Sequence, residues 1–287
     1  MKFIYQLPGF FLVSFGGFCL SWGGLIIRLF EEASVWQILF LRSFFFLIGL
    51  IFFLLIIYKK KTLNMIKASG LPALFGGFVL SFSFIAFVVA MSSTTVANVV
   101  FIISTQTMFL ALFGYFYLKE KVSLIGSLSI FLAMSGILIM VGDSINSGSL
   151  FGNLVALAIP INFAVLVMII RKYKNLDMIP AVFYSGIFSC LYGLILSESF
   201  NFTSNDILMG FLLGIPQLAC GFICITIGSR STPSATIGLL MLSETLFAPI
   251  WVWLFLNEIP PFSVFVGGVV IIFAIILKSF DKNSVKV

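Results

Sequence analysis

The residue of this chain that most invites chemistry is a carboxylate in the middle of an apolar stretch. Glu244 sits near the centre of Ser234 to Glu258, SATIGLLMLSETLFAPIWVWLFLNE. An ionisable group at that depth costs at least about 3 kcal/mol, so it calls for a cation, a proton or a strong hydrogen bond. Three readings follow: it holds a cationic group, it carries a proton, or it is a structural acid bonded to Ser, Thr or Arg neighbours. A second stretch, Val96 to Glu120, has the same design, with Gln106 at the place of Glu244. Superposing the two at an offset of about 138 residues matches Ala97 with Ala235, Thr107 with Thr245 and Phe109 with Phe247, and also Leu118 with Leu256 and Glu120 with Glu258. Such matching points to an internal duplication. Gln106 then either hydrogen-bonds a substrate or ties helices together.

Composition defines the elements that must position these groups. Apolar residues make up 61% of the chain and charged residues only 9%. A soluble domain carries about a quarter charged residues. Apolar runs recur that are long enough to cross about 30 Å of hydrocarbon as helices. The short alternating segments of a membrane barrel are missing. The chain reads as an all-α membrane protein with ten spans. The first half holds Phe10–Phe30, Val35–Ile57, Leu71–Met91, Val96–Leu118 and Val122–Val141. The second holds Phe151–Ile170, Ile179–Ser197, Ile207–Ser229, Ser234–Leu256 and Phe262–Leu277. The first run is too long for a signal peptide and no small-residue cleavage motif follows it, so a retained helix is expected.

Charge gives the orientation. With the N-terminus in the cytoplasm, Lys59 to Lys61, Lys67, Lys119, Lys121, Arg171, Lys172, Lys174 and Arg230 all face inward, as do Lys2, Lys278, Lys282 and Lys286. Of the 16 basic residues only Arg28 and Arg42 are left over, both within spans. That asymmetry is the positive-inside pattern, and it puts both termini in the cytoplasm. The acids Glu31, Glu32, Asp143, Glu198, Asp206 and Glu258 fall on the outer side. Five spans per half is an odd number, so the second half enters the membrane upside down relative to the first. Inverted repeats support alternating access, with binding near the midplane between them. Gln106 and Glu244 both lie about ten residues into their spans, which is that depth.

Further residues each carry two readings. Arg42, about two turns into the second span, is either a carboxylate clamp or a structural cation that pairs with Glu31 or Glu32 or reaches to the interface. Pro160 with Asn162, and Pro216 with Gln217, couple a freed backbone carbonyl to a nearby amide, which suits a cavity wall or a packing kink. Trp22 is placed at a cavity wall, and Trp36, Trp251 and Trp253 in the outer aromatic belt. Gly17/Ser21, Gly77/Ser81 and Gly210/Gly214 form small-residue faces for close helix packing. The chain has no histidine, which removes His-based haem, zinc and acid–base chemistry. Cys220 and Cys224 share a helix face without further ligands, and Cys19 and Cys190 are isolated. No phosphate-binding Walker loop occurs. No metal or cofactor is expected, nor a nucleic-acid partner for the net charge of +6; the partners expected are a small-molecule substrate and the bilayer, with the protein a monomer or homodimer.

The chain resembles the EamA-type ten-helix transporters of the drug/metabolite transporter superfamily, over about Phe10 to Leu277. The resemblance rests on Trp22 in the first span, on Arg42 within FLRSFFFL, and on Leu-x-Glu closing the fourth and ninth spans. LSET at Leu242 to Thr245 looks like the family's Leu-Glu-Pro element, with Thr245, and likewise Thr107, standing where Pro is usual. It implies two five-helix repeats, here residues 1–141 and 151–287 with a linker at 142–150. It also implies a secondary transporter in the cytoplasmic membrane, with amino acids, amines or vitamin-like compounds as substrates, export by proton exchange common and facilitated uptake the alternative direction. The site residues expected are Glu244, Gln106, Trp22, Asn162, Gln217 and Arg42. An enzyme would need converging acids or a metal motif, and a scaffold would not need Glu244 at mid-membrane.

Overall fold

The computed structural model describes residues 3–94, 96–141, 150–257 and 262–279. The linker Gly142–Ser149 with Asp143, the residues Glu258 and Ile259, Lys2, and the basic tail after Ser279 lie outside them. Among the described residues the chain is helical, with no strand. The helices of the first half are α1 (Gly9–Leu20), α2 (Gly23–Arg28), α3 (Val35–Tyr58), α4 (Thr62–Ser93), α5 (Val96–Ser104), α6 (Gln106–Leu118) and α7 (Leu124–Val141). Those of the second are α8 (Leu150–Ala156), α9 (Ala158–Lys172), α10 (Ile179–Leu196), α11 (Ser204–Leu212), α12 (Cys220–Ser229), α13 (Ser234–Leu256) and α14 (Phe262–Ser279). All ten apolar stretches read from the sequence are helical along most of their length. Seven of the described apolar runs meet the length needed to cross a membrane, one of them the 59-residue Val35–Ser93 that contains both α3 and α4. Leu124–Ile139 and Phe262–Lys278 are shorter apolar helices.

Local sequence fixes the registers that matter. Ser34 and Gln37 form a capping box at the start of α3, and Gln37 also donates to the Ser199 carbonyl at 2.9 Å. Thr203 and Asp206 form a second box at the start of α11. The fully buried Asp206 also accepts from the Glu31 backbone N–H at 2.9 Å. Each box satisfies amide donors that the first turn leaves free. Together they pin neighbouring helix starts at one end of the bundle.

The duplication is visible in the geometry. Helix α14 follows α7 at about the 138-residue offset read from the sequence. Lys119 after α6 and Asn257 after α13 are separated by the same interval, and both are left-handed, with φ 58° and 54°. The Thr pair crosses between the halves as well. Thr107 Oγ1 donates to the Gly238 carbonyl at 3.1 Å. Thr245 Oγ1 meets Ser104 Oγ at 2.7 Å, and Ser104 donates on to the Val100 carbonyl at 2.8 Å. Val100 and Gly238 are again 138 apart, so each Thr reaches the same carbonyl of the other repeat, once directly and once through Ser104. These bonds tie together the helices that carry Gln106 and Glu244.

Packing puts this pair beside a large core. Helix α10 packs against α3 and α4, α1 against α12 and α13, and α9 against α4 and α6. Helices α7 and α14 pack on each other through Ala133, Ile137, Ile271 and Ala274, to one side of that core. Among the described residues four spans are interrupted, the sixth at Leu157 between α8 and α9. The first breaks between α1 and α2 at Ser21–Trp22, and the fourth at Thr105, whose hydroxyl bonds back to the Ile102 carbonyl at 2.6 Å. The eighth carries a π-helical segment, Leu213–Ala219, around Pro216. The fourth span thus breaks two residues before Thr107, where a Thr hydroxyl competes for helix carbonyls.

Candidate functional site

Four of the six residues singled out from the sequence meet in one cavity of about 50 Å³. Glu244 enters it from α13, Gln106 from the first turn of α6, Gln217 from the π-helical segment and Arg42 from α3. Apolar side chains from α1, α4, α5, α9, α12, α13 and the π-helical segment complete the wall, and none of the described residues of α7 or α14 belongs to it. Both repeats thus supply polar groups to a single interior space.

Arg42 differs most from its sequence reading. It neither pairs with Glu31 or Glu32 nor reaches toward an aqueous face; it is buried, with 3% of its surface exposed, and lines the cavity. Two facts explain this. Arg42 lies eight residues past the Ser34 cap, about 12 Å along the helix and close to half the thickness of a bilayer core. It also lies on the buried stripe of α3 with Leu39, Phe46 and Leu50. Its guanidinium carbon sits 4.9 Å from the ring centroids of both Phe84 and Phe87 on α4, within cation–π range. Nε and Nη1 are buried and have no hydrogen-bond partner. Across the cavity, Arg42 and Glu244 feel each other's charge without forming a direct ion pair.

Gln217 shows how interrupted helices are used. The break after Leu20 frees a carbonyl, and Gln217 Nε2 donates to it at 3.1 Å. That bond fixes the amide's orientation and leaves Oε1 buried and unpartnered. Gln106, 4% exposed, sits at the interruption after Thr105. Glu244 makes no hydrogen bond among the described residues, so the Ser/Thr-bonded reading of this acid is not what the geometry presents.

Two of the six residues lie elsewhere. Trp22 stacks on Trp251 at 3.9 Å, and Trp251 Nε1 donates to Ser21 Oγ at 2.7 Å. Those rings tie α13 to the break between α1 and α2, so Trp251 is a helix tie rather than a belt residue. Trp253, packed edge-on against Phe265, is exposed as a belt residue would be. Asn162 is half-buried on α9 and is not part of the cavity wall.

The lysine-rich end of the bundle is closed by contacts that the sequence did not single out. Arg171 pairs with Glu120, donating from Nε at 2.6 Å, and its Nη1 donates to the carbonyls of Ser229 and Thr232. The other oxygen of Glu120 accepts from the Ser234 backbone N–H at 2.9 Å. One ion pair thus holds the ends of α6, α9, α12 and α13. Beside it, Tyr5 donates to Asp177 at 2.7 Å and Tyr58 donates to the same carboxylate. Burial, with Asp177 alongside, pushes the Tyr5 phenol above its usual value and keeps it a neutral donor. Glu120 was visible as part of Leu-x-Glu. Arg171 looked like one more inward-facing cation, and Phe84 and Phe87 were two of 36 phenylalanines.

The EamA-like transporter family model matches residues 7–142 and again 150–280. The chain belongs to the EamA-like transporter family. The family is one of transporters, not enzymes, and the chain is a multi-pass membrane protein. The chain is also 28% identical over 257 residues, 83% of each protein, to an uncharacterized transporter of Clostridium kluyveri. A crystal structure that is 13% identical superposes with a TM-score of 0.77, covering 96% of this chain and 98% of the other; that likeness concerns the fold alone.

Proposed function

We propose that this EamA-family protein is a secondary active transporter that exports a small metabolite by exchange with protons. The observation that carries the reading is the convergence of Glu244, Gln106, Gln217 and Arg42, drawn from both repeats, on one interior cavity. A helical scaffold has no need to bury an acid, an Arg and two amides together at the cost each imposes in a membrane. Glu244 binds either a proton or a cationic group of the substrate, not both at once, and that competition couples the two flows. Among the described residues, Arg42 is the charged group that faces it. In this reading the chain crosses the cytoplasmic membrane ten times with both termini inside, and its halves are inverted. The Glu120–Arg171 pair then lies at the cytoplasmic end and the Trp22–Trp251 stack toward the outside; both are formed in this structure, and alternating access loosens each in turn.

Counterflow in liposomes containing the purified protein tests transport itself. A panel of labelled amino acids, amines and vitamin-like compounds is expected to yield at least one that exchanges well above empty vesicles; none doing so returns the protein to a scaffold role. Orientation is tested in a variant lacking Cys19, Cys190, Cys220 and Cys224. Asn64→Cys, at an exposed position on α4 beside Lys59 to Lys61, should label only from the cytoplasmic side. Asn146→Cys should label only from outside. The reverse pattern overturns the topology.

A further inference from the structure

The segment Phe3–Gln6, a single 3₁₀ turn ahead of α1, is bonded across the lysine-rich end of the bundle. Tyr5 Oη donates to Asp177 Oδ2 at 2.7 Å and lies 2.5 Å from Tyr58 Oη, which donates to the same carboxylate oxygen. Tyr5 and Tyr58 belong to the first repeat and Asp177 to the second. On the reading that the protein works by alternating access, we infer that this segment is a latch. It holds the lysine-rich end shut while Tyr5 sits on Asp177, and it lifts each time that end opens.

The bonds lie where opening acts. They run from one repeat to the other, and rocking of the repeats parts such contacts at one end at a time. Asp177 is a fixed seat: its Oδ1 accepts from the Ile179 backbone N–H at 3.0 Å, one of the amides that the start of α10 leaves free. Arg230, at the end of α12, donates twice to the Lys174 carbonyl, at 3.0 and 2.8 Å, and so fastens the loop that carries Asp177. Tyr58 is held by α3, whose last residue it is. Tyr5 instead rides on one 3₁₀ turn, whose own hydrogen bonds are few and poorly aligned.

The latch is built to close firmly and to part. A bond from a phenol to a carboxylate is about twice as strong as a neutral one, and Ile4 and Leu7 pack on the edge of the core beside it. All three bonding side chains are half-buried, so water takes over their bonds as the segment lifts. The segment also leans on the Arg171–Glu120 pair. At Gly9 the chain crosses the end of α12 so closely that a Cβ would lie 2.5 Å from Thr232 Oγ1 and 2.7 Å from the Gly228 carbonyl. The Thr232 carbonyl is one that Arg171 holds. Strap and ion pair therefore close the same helix end, and opening parts both.

Two measurements on the full-length protein without its native cysteines test the latch. Ser83→Cys places a thiol on the cavity wall. In inverted membrane vesicles, its reaction with a membrane-impermeant methanethiosulfonate should rise about fivefold in Tyr5→Phe, and further when Tyr58→Phe is added. Phe keeps the ring and its packing, so an unchanged reaction in the double variant overturns the latch, even where the melting midpoint falls. Spin labels at Gln6→Cys and Asn175→Cys, both exposed, read the distance between the segment and the loop before Asp177. Arg171→Ala, which removes the neighbouring ion pair, should enlarge the long-distance population. An unmoved distance in Arg171→Ala while Ser83→Cys reacts faster shows that the end opens with the segment in place, and overturns the latch. Neither measurement needs a substrate. Absence of counterflow sinks the transport reading, and these two results still decide the latch.

Discussion

Replacing Glu244 with Gln removes transport driven by a pH gradient, down to the level of empty vesicles, while the protein still reaches the membrane. The substitution keeps the shape of the side chain and one acceptor oxygen and takes away its ability to exchange a proton. Entry of one proton as one substrate of zero net charge leaves moves one positive charge inward per cycle. A membrane potential of 100 mV then adds about 2.3 kcal/mol, roughly a fiftyfold bias in accumulation at equilibrium. The variant loses both this bias and the contribution of the pH gradient. Uptake into liposomes with an imposed pH step reads the loss. Counterflow, which needs no gradient, should persist at weaker affinity, because Gln still accepts a hydrogen bond from an ammonium. Arg42 faces Glu244, so the variant also leaves a buried cation without its opposite charge. Comparing its melting midpoint with that of the double variant Arg42→Gln, Glu244→Gln separates this cost from the coupling. Full gradient-driven activity in Glu244→Gln sinks the coupling role. Loss of folding that the double variant repairs assigns the acid a structural part as the partner of Arg42.

Arg171→Ala is expected to open the lysine-rich end of the bundle. The Arg171 and Glu120 side chains are only 7% and 14% exposed, and the pair also engages the carbonyls of Ser229 and Thr232 and the amide of Ser234. Removing one member of a buried pair strands the other and costs about 3–5 kcal/mol. That penalty falls on the conformation in which the pair is formed, so the population shifts toward conformations in which it is not. Labelling of Ser83→Cys, a cavity position on α4, in the variant without native cysteines measures the shift. Reaction from the cytoplasmic side should rise at least tenfold in Arg171→Ala. Arg171→Lys should fall between, since an ammonium keeps the charge but not the planar set of donors that reaches both Glu120 and the carbonyls. Unaltered labelling in both variants would show that the pair does not hold the cavity shut.

The sequence alone determined what depends on distance along the chain. Apolar run lengths gave the helices, because a bilayer demands about 20 residues per crossing. The interval of 138 residues gave the repeat, and it holds in the structure down to the left-handed caps at Lys119 and Asn257. Position along the span was legible for Gln106 and Glu244, because a helix rises 1.5 Å per residue from a recognisable start. For Arg42 the same counting works from Ser34, but only once Ser34 is known to be the cap.

Tertiary structure decided what depends on direction around a helix and on partners distant in sequence. Arg42 faces the cavity because α3 turns the stripe of Leu39, Phe46 and Leu50 inward. Phe84 and Phe87 flank it because α10, packed against both α3 and α4, holds them together. Gln217 enters the cavity through a π-helical turn, whereas Asn162, with a similarly placed Pro160, does not. Trp22 meets Trp251 because α1 packs on α13. Arg171 finds Glu120 across 51 residues of chain. Rotation about a helix axis and the choice of neighbour are set by side-chain packing between helices, and a hydropathy pattern that is apolar on nearly every face leaves no stripe from which to read them.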